Sequence, residues 1–344
     1  MPTDQLVECA RRTFWAAFLL DCYTGQCSST LFTIHADDVH LRLPCEESTF
    51  ENGAPSDAPF FNVGSLDPTA TTALSPTTLS RVAHVVTISS TWSNVVHFLH
   101  RSAHLDPSTY TCKYEAFYGE TLARVEKWSR QLPMYLQAGE ENLAKSVQHR
   151  YAGTYIAMHA LLYLTRMKIA RHGRHEVLSP TSVARNITAA HNAAMQYLNM
   201  MRSLNNLDHQ FNTDTDVPAV PTAFHGHVTL AAIDILGAGG SLDDLAPTMD
   251  AIGAGILILE RISKYWTSAK GQLKMAEERI SQIRGVIRGS AGQRISAATG
   301  DERIWSIEAP VGKELALQED IVYGVPRHMY FGALRNGRAQ GKGR

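Results

Sequence analysis

The 344-residue sequence has no excess of charge: Lys and Arg number 32 against 33 Asp and Glu, a formal net charge of −1. No global field draws polyanions or acidic membranes to it, and the chain as a whole does not read as a DNA-binding module. Long apolar runs are also missing. Phe14–Leu20 is short and closed by Asp21, and Gly253–Leu259 is closed by Glu260 and Arg261, both well below the roughly 20 residues of a membrane span. No secretory signal is visible, so an intracellular chain with no membrane association is expected. Cysteine is sparse. Cys9, Cys22, Cys27, Cys45 and Cys112 form an odd, scattered set without a Cys-x-x-Cys pair, which reads as free thiols. Neither Gly-x-Ser-x-Gly nor His-Glu-x-x-His occurs, so the common hydrolase and zinc-protease signatures are absent.

What is present is a series of apolar stripes at helical spacing, in a chain 44% hydrophobic and 19% charged. A chain of this size can bury about three quarters of its unfolded surface. In the first helix Phe14, Ala17, Phe18 and Cys22 continue the stripe begun by Leu6, Val7 and Ala10, with Asp4 as N-cap and Gly25 as stop. Asp37 and Asp38 follow in a loop whose Val39, Leu41 and Leu43 alternate with polar residues and are expected to face inward, the two acids serving turn or cap chemistry. Residues 48–78, rich in Pro, Thr and Ser, read as a surface linker. Further helices are predicted over Leu79–Leu105 (ended by Asp106-Pro107), Tyr114–Gln131 (ended by Leu132-Pro133) and Leu143–Arg171. Another starts at Ser179-Pro180 and runs to about Leu204. After a polar loop from Asn205 to Pro221 come helices over Thr222–Gly237 and Asp250–Ile287, separated by a glycine break with Ser241 as cap. The expected fold is all-α, a multi-helix, bundle-like body with long irregular loops. It comprises a domain over 1–290 and a weakly structured tail over 291–344, ending in Arg335, Arg338, Lys342 and Arg344.

Four constellations carry candidate chemistry, and each has a structural reading. His97, His100 and His104 fall on one helix face, but no neighbouring carboxylate or cysteine completes a metal set. They read as packing or solvent-facing residues. His172 with His175, and His225 with His227, read as helix-end residues. Gly237-Ala-Gly239-Gly240 lacks the following Gly-Lys-Ser/Thr of a phosphate loop and reads as a helix break. Asp243-Asp244 lacks the third acid of the Asp-Asp-x-x-Asp cluster of prenyl-chain cyclases, with Pro247 in the next turn. These acids and Ser241 suit a helix N-terminus instead.

One segment is more specific. Arg11, Arg12, Phe14, Trp15, Phe18 and Asp21, followed by Ile34, Asp37, Asp38, Val39, Leu43, Pro44 and Cys45, resemble the middle homology region of fungal zinc-cluster transcription factors. Trp128 before Leu132-Pro133 is similar too. So are Tyr155, Met158, His159, Leu162, Tyr163 and Arg166 in a central helix, and Trp266-Thr-Ser-Ala269 near a last long one. The likeness runs from Leu6 to Ile287. It implies an all-α regulatory domain of a nuclear transcription regulator that senses an effector, supports homo- or heterodimer assembly, and works with transcription machinery or co-regulators. It is not expected to be an enzyme. No cofactor is expected in this chain. The family's binuclear zinc cluster needs six cysteines in spaced trios, so DNA contact and zinc are expected only through an N-terminal cluster outside this chain, which is either a fragment or a homologue without one. Trp15, Phe18, Trp128, Tyr155 and Trp266 are the candidate effector-cleft residues. The alternative reading is an all-helical, magnesium-dependent prenyl diphosphate enzyme.

Overall fold

The computed structural model describes residues 3–24, 32–61, 79–102, 104–174, 176–211, 222–241, 244–290 and 304–306. The fold is all-α. In chain order the helices are α1 (Thr3–Thr24), α2 (Glu47–Glu51), α3 (Arg81–Ser102), α4 (Pro107–Gln131), α5 (Glu140–Gln148), α6 (Ala152–Arg171), α7 (Pro180–Phe211), α8 (Ala223–Gly237), α9 (Leu245–Ser263) and α10 (Thr267–Ser290). Two three-residue strands, β1 (Gly239–Ser241) and β2 (Ile304–Ser306), pair antiparallel with Gly240 opposite Trp305. Among the described residues no helix is long and apolar enough to cross a membrane.

The core is organised around α6. Every residue from Met158 to Thr165 is buried, so this helix has no solvent face along its middle. A helix apolar all round must be enclosed by others; α3 covers one side and α7 another, with α8 and the end of α4 completing the sleeve. In the C-terminal half α8 and α9 pack against α7, and α10 packs against α8 and α9. At Gly255 the helices come so close that an added Cβ would lie 2.9 Å from a Leu198 methyl and 3.1 Å from one of Ile233, which favours glycine inside this apolar run.

Tryptophan indoles connect the layers. Trp15 donates to the Arg42 carbonyl (2.8 Å), Trp92 to that of Cys22 (3.3 Å) and Trp128 to that of His84 (3.2 Å). Each buries a large apolar ring while satisfying its one N–H. A tyrosine ladder on α4 does similar work. The Tyr114 hydroxyl donates to the Ile169 carbonyl (2.7 Å) and accepts from Asn186 (2.7 Å), and that of Tyr110 accepts from the Arg174 amide (2.8 Å).

Several expected boundaries move. Asp106-Pro107 starts a helix as well as following one: the Asp106 carboxylate accepts from the Thr109 amide at 3.0 Å and Pro107 takes the first helical position. The predicted helix over Leu143–Arg171 is two, α5 and α6. The chain turns at Arg150, whose φ is +60°. The Arg150 amide donates to the Val147 carbonyl and the Tyr151 amide to that of Ser146, the paired bonds of a Schellman stop with arginine where glycine is usual. The helix over Asp250–Ile287 is also two, parted at Lys264–Trp266. Asp4 lies inside α1 rather than capping it, and α7 runs on to Phe211. Ser241 is in β1, and Asp244 takes the N-cap position of α9. The start of the supposed linker is folded: Glu47–Glu51 is helical, Ala58 and Phe61 are buried, and Arg42 pairs with Phe60. Residues 62–78 of that linker, Gly25, Cys27, Asp243, His175 and the basic tail lie outside the described residues.

Three buried imidazoles set the acid sensitivity of this core. Burial pushes His84, His159 and His225 down to about 4. The unfolded chain therefore takes up these protons first. Their contribution to stability is complete above pH 6.5, is lost as pH falls towards 4, and is worth on the order of 3 kcal/mol per residue at most. Urea denaturation at pH 7, 5.5 and 4.5 should show this fall. His159→Gln, which keeps an amide donor for the Leu136 carbonyl (2.9 Å from the imidazole), should make it shallower by about one proton's share.

Candidate functional site

Residues 8–24 and 32–50 form a clasp. Glu8, one turn before Arg12, is buried. Its carboxylate accepts from the Cys45 amide (3.0 Å) and from Arg12 Nε (3.2 Å), and pairs with Arg11. Arg12 also reaches the Cys45 carbonyl (3.2 Å) and Glu47 (2.8 Å) and lies over the Phe50 ring. Burial works against the Arg12 charge, but its hydrogen bonds to Glu47, Glu8 and Cys45 outweigh it and hold the guanidinium protonated. Burial, reinforced by Glu8, pushes the Cys45 thiol up, so this cysteine packs as a thiol rather than a nucleophile. One turn beyond Phe18, the Asp21 carboxylate accepts from the amides of Thr33 (2.8 Å) and Ile34 (2.9 Å). Trp15 fixes the loop at Arg42, and Ser80 caps α3 while donating to the Pro44 carbonyl at 2.8 Å. The loop thus hangs from α1 at both ends. Val39 and Leu43 turn inward as expected. Leu41, against expectation, is exposed; its carbonyl accepts from the Phe61 amide beside the Arg42–Phe60 bridge. Asp37 and Asp38 form a short 3-10 turn.

The second feature is a cleft of about 450 Å³ between the end of α4, the segment leading into α5, and helices α6 and α7. Its apolar wall is Leu143, Leu162 and Met200, flanked by Tyr155 and Tyr163. The Tyr155 hydroxyl fastens one end, accepting from the Gly139 amide (3.1 Å) and donating to the Gln137 carbonyl (3.0 Å). At that end Ser203 donates to Glu140 (2.8 Å). Arg166, Gln196 and Asn199 line the rest. Burial pushes the Tyr163 hydroxyl up, and the neighbouring Arg166 charge pulls against that. A concave site with an apolar wall and a few polar groups is the usual form of a small-molecule pocket, and its volume lies within their range of roughly 300–1,000 Å³.

Of the five aromatic residues singled out from the sequence, Tyr155 lies on this cleft. Trp15 and Phe18 meet edge to face at 5.5 Å in the core under the clasp. Trp128 lies 6.4 Å from the His159 ring, which in turn lies 4.5 Å from Tyr155. Trp266 is largely exposed at the turn between α9 and α10. The structure therefore does not gather these five around one cavity. Sequence reasoning missed Leu143, Gln196, Asn199 and Ser203; the positions 196, 199, 200 and 203 form a helical stripe of mixed polarity, a pattern that could have drawn attention to them.

The histidine series also separates. His97 is buried against Phe32 and the His35 ring (4.8 Å), His100 is exposed on α3, and His104 lies beyond the helix end. His172 follows α6, and His225 sits in the first turn of α8, its Nδ1 accepting from the Thr222 amide at 2.9 Å. That is an N-terminal role, opposite to the carbonyl contacts expected of a helix-end imidazole. Among the described residues no group of three or more His, Cys, Asp or Glu is placed to hold a metal.

The clasp and the helical sleeve together define an all-helical domain. Residues 3–136 match the family model of the fungal specific transcription factor domain, which covers the clasp and ends just before α5. An uncharacterized transcriptional regulatory protein of Schizosaccharomyces pombe is 21% identical over 208 residues, covering 55% of this chain and 25% of that protein. The chain thus spans about a quarter of the length of this relative. No solved structure matches the chain.

The clasp depends on Glu8 more than on its exposed partner. Glu8→Ala leaves buried donors at Cys45 and Arg12 without their acceptor and should cost about 3 kcal/mol. Glu47→Ala, on the rim, should cost under about 1 kcal/mol. Chemical denaturation of both variants checks this, and equal losses would show that the clasp does not hang on Glu8.

Proposed function

We propose that this chain is the regulatory domain of a nuclear transcription regulator, in which a small effector occupying the interhelical cleft changes the population of two packings. The observation that carries the reading is the cleft's position. Ser129 on its wall belongs to the part that matches the fungal transcription factor domain, whereas its remaining lining, from Ala138 to Ser203, belongs to the helices that follow. An effector there touches both parts at once, and it shifts an equilibrium only as far as it binds one packing better than the other. The similar regulatory protein of S. pombe supports the transcriptional role. On this reading the chain performs no turnover, works with transcription machinery or co-regulators as a homo- or heterodimer, and reaches DNA through a zinc cluster outside this sequence.

The chain can be tested fused to a heterologous DNA-binding module upstream of a reporter. Asn199→Trp narrows the cleft and should change reporter output at least threefold at equal protein level. Cys112→Trp, on the exposed face of α4, should leave it unchanged. If the fusion behaves as the DNA-binding module alone, or if Asn199→Trp behaves as Cys112→Trp, the reading fails.

A further inference from the structure

Resting on the effector-cleft reading, we infer that the cleft takes an elongated organic acid, its carboxylate held by Arg166 and its apolar body laid along α6 and α7. Two observations point this way. First, Arg166 lies on the cleft wall, and among the described residues no carboxylate forms an ion pair with it. The neighbouring half-buried arginines of α6 and α7 are engaged: Arg171 pairs with Asp234 and Arg185 with Glu115 at 2.7 Å. Arg42, Arg81 and Arg124 are also half-buried without a carboxylate among the described residues, but none of them lines the cleft. A half-buried guanidinium without an anion matches the planar, two-point recognition of a carboxylate. Gln196 and Asn199 stand on the same wall as further amide donors.

Second, the cleft is polar at its two ends in opposite senses. Tyr155 and Arg166 are eleven residues apart on α6, about 16 Å along the axis at 1.5 Å per residue. The Tyr155 end carries Glu140, which repels an anion; the Arg166 end carries the cation. Leu162 and Met200 lie between. This arrangement orients a ligand that is charged at one end, and it selects length as well as sign.

The test uses the purified chain with octanoate and 3-(4-hydroxyphenyl)propanoate, each against its primary amide, read by thermal shift and calorimetry. The carboxylates should raise the melting temperature and bind at least tenfold more tightly than their amides. Arg166→Gln should reduce carboxylate affinity at least tenfold while leaving the amides unchanged. Asn199→Asp, a smaller perturbation of the fold, should weaken the carboxylates alone. Binding of acids and amides with equal affinity, weakened by Asn199→Trp, would overturn the carboxylate assignment and leave the effector cleft standing. Absence of binding by all four compounds would also overturn the assignment, and the reporter experiment then decides the cleft itself. Carboxylate binding that survives both Arg166→Gln and Asn199→Asp would place the acid elsewhere and sink the inference.

Discussion

The enclosure of α6 is the constraint on which the rest of this molecule depends. A helix buried from Met158 to Thr165 without interruption cannot lie on a surface, so α3, α7 and α8 must be arranged about it. Several of its polar groups survive burial by finding a local partner, although His159 Nδ1 meets none among the described residues. Thr165 donates back to the Leu161 carbonyl (2.7 Å), the His159 imidazole meets the Leu136 carbonyl, and the Tyr155 hydroxyl serves the Gly139 turn. The last two bonds also hold the segment between α4 and α5 against the core. The same burial that stabilises α6 therefore positions the wall of the cleft.

The ionic groups follow a related logic at the other end of the helix. Arg171, just past the buried middle, pairs with Asp234 of α8, and Arg279 of α10 pairs with the same carboxylate. Arg279 is buried, and its aliphatic stem fills the space beside Gly237, where an added Cβ would lie 2.6 Å away. Removing one member of such a group leaves the others charged and desolvated, so its main effect is to fix which helices meet. In the N-terminal part, Glu8 with Arg11 and Arg12 does the equivalent for α1 and the loop. The residues carrying the resemblance to fungal transcription factors are thus largely those that tie the loop to the helix.

Much of this architecture was legible in the sequence, for definite reasons. The stripe of Phe14, Phe18 and Cys22, the Ser179-Pro180 start and the break at Gly237 all follow from local spacing and local capping. What could not be read locally was where a continuous apolar pattern is interrupted. Between α5 and α6 the stop is made by Arg150 in a left-handed conformation, and no glycine, asparagine or proline marks it. At Asp106-Pro107 the signal was visible but its sense was ambiguous, because the same pair suits the end of one helix and the beginning of the next. The cleft was legible least. Tyr155 was found as a large aromatic in an apolar stripe, but a cavity is made by elements distant in sequence, and a list of aromatic residues cannot tell a wall from a core. Trp15 and Phe18 went to the core, and Trp266 to the surface.

On the proposed reading, the element able to take two positions is the segment from Pro133 to Gln148. The floor of the cleft lies on buried α6 and cannot move without opening the core. The segment above it is tied down differently. Leu136 and Leu143 are buried anchors, whereas Met134 is 84% and Tyr135 41% exposed. Besides these apolar anchors, its ties to the body are a few hydrogen bonds: Tyr155 to Gly139 and Gln137, His159 to Leu136, and Ser203 to Glu140. Each is worth about 1 kcal/mol net. Reversing a 1:99 population takes roughly 5.5 kcal/mol of differential binding, which is the same scale as the sum of these ties. A ligand that spans the cleft and touches Glu140, Leu143 and Arg166 meets both the fixed floor and the tied segment, so its binding energy acts on the contacts between them.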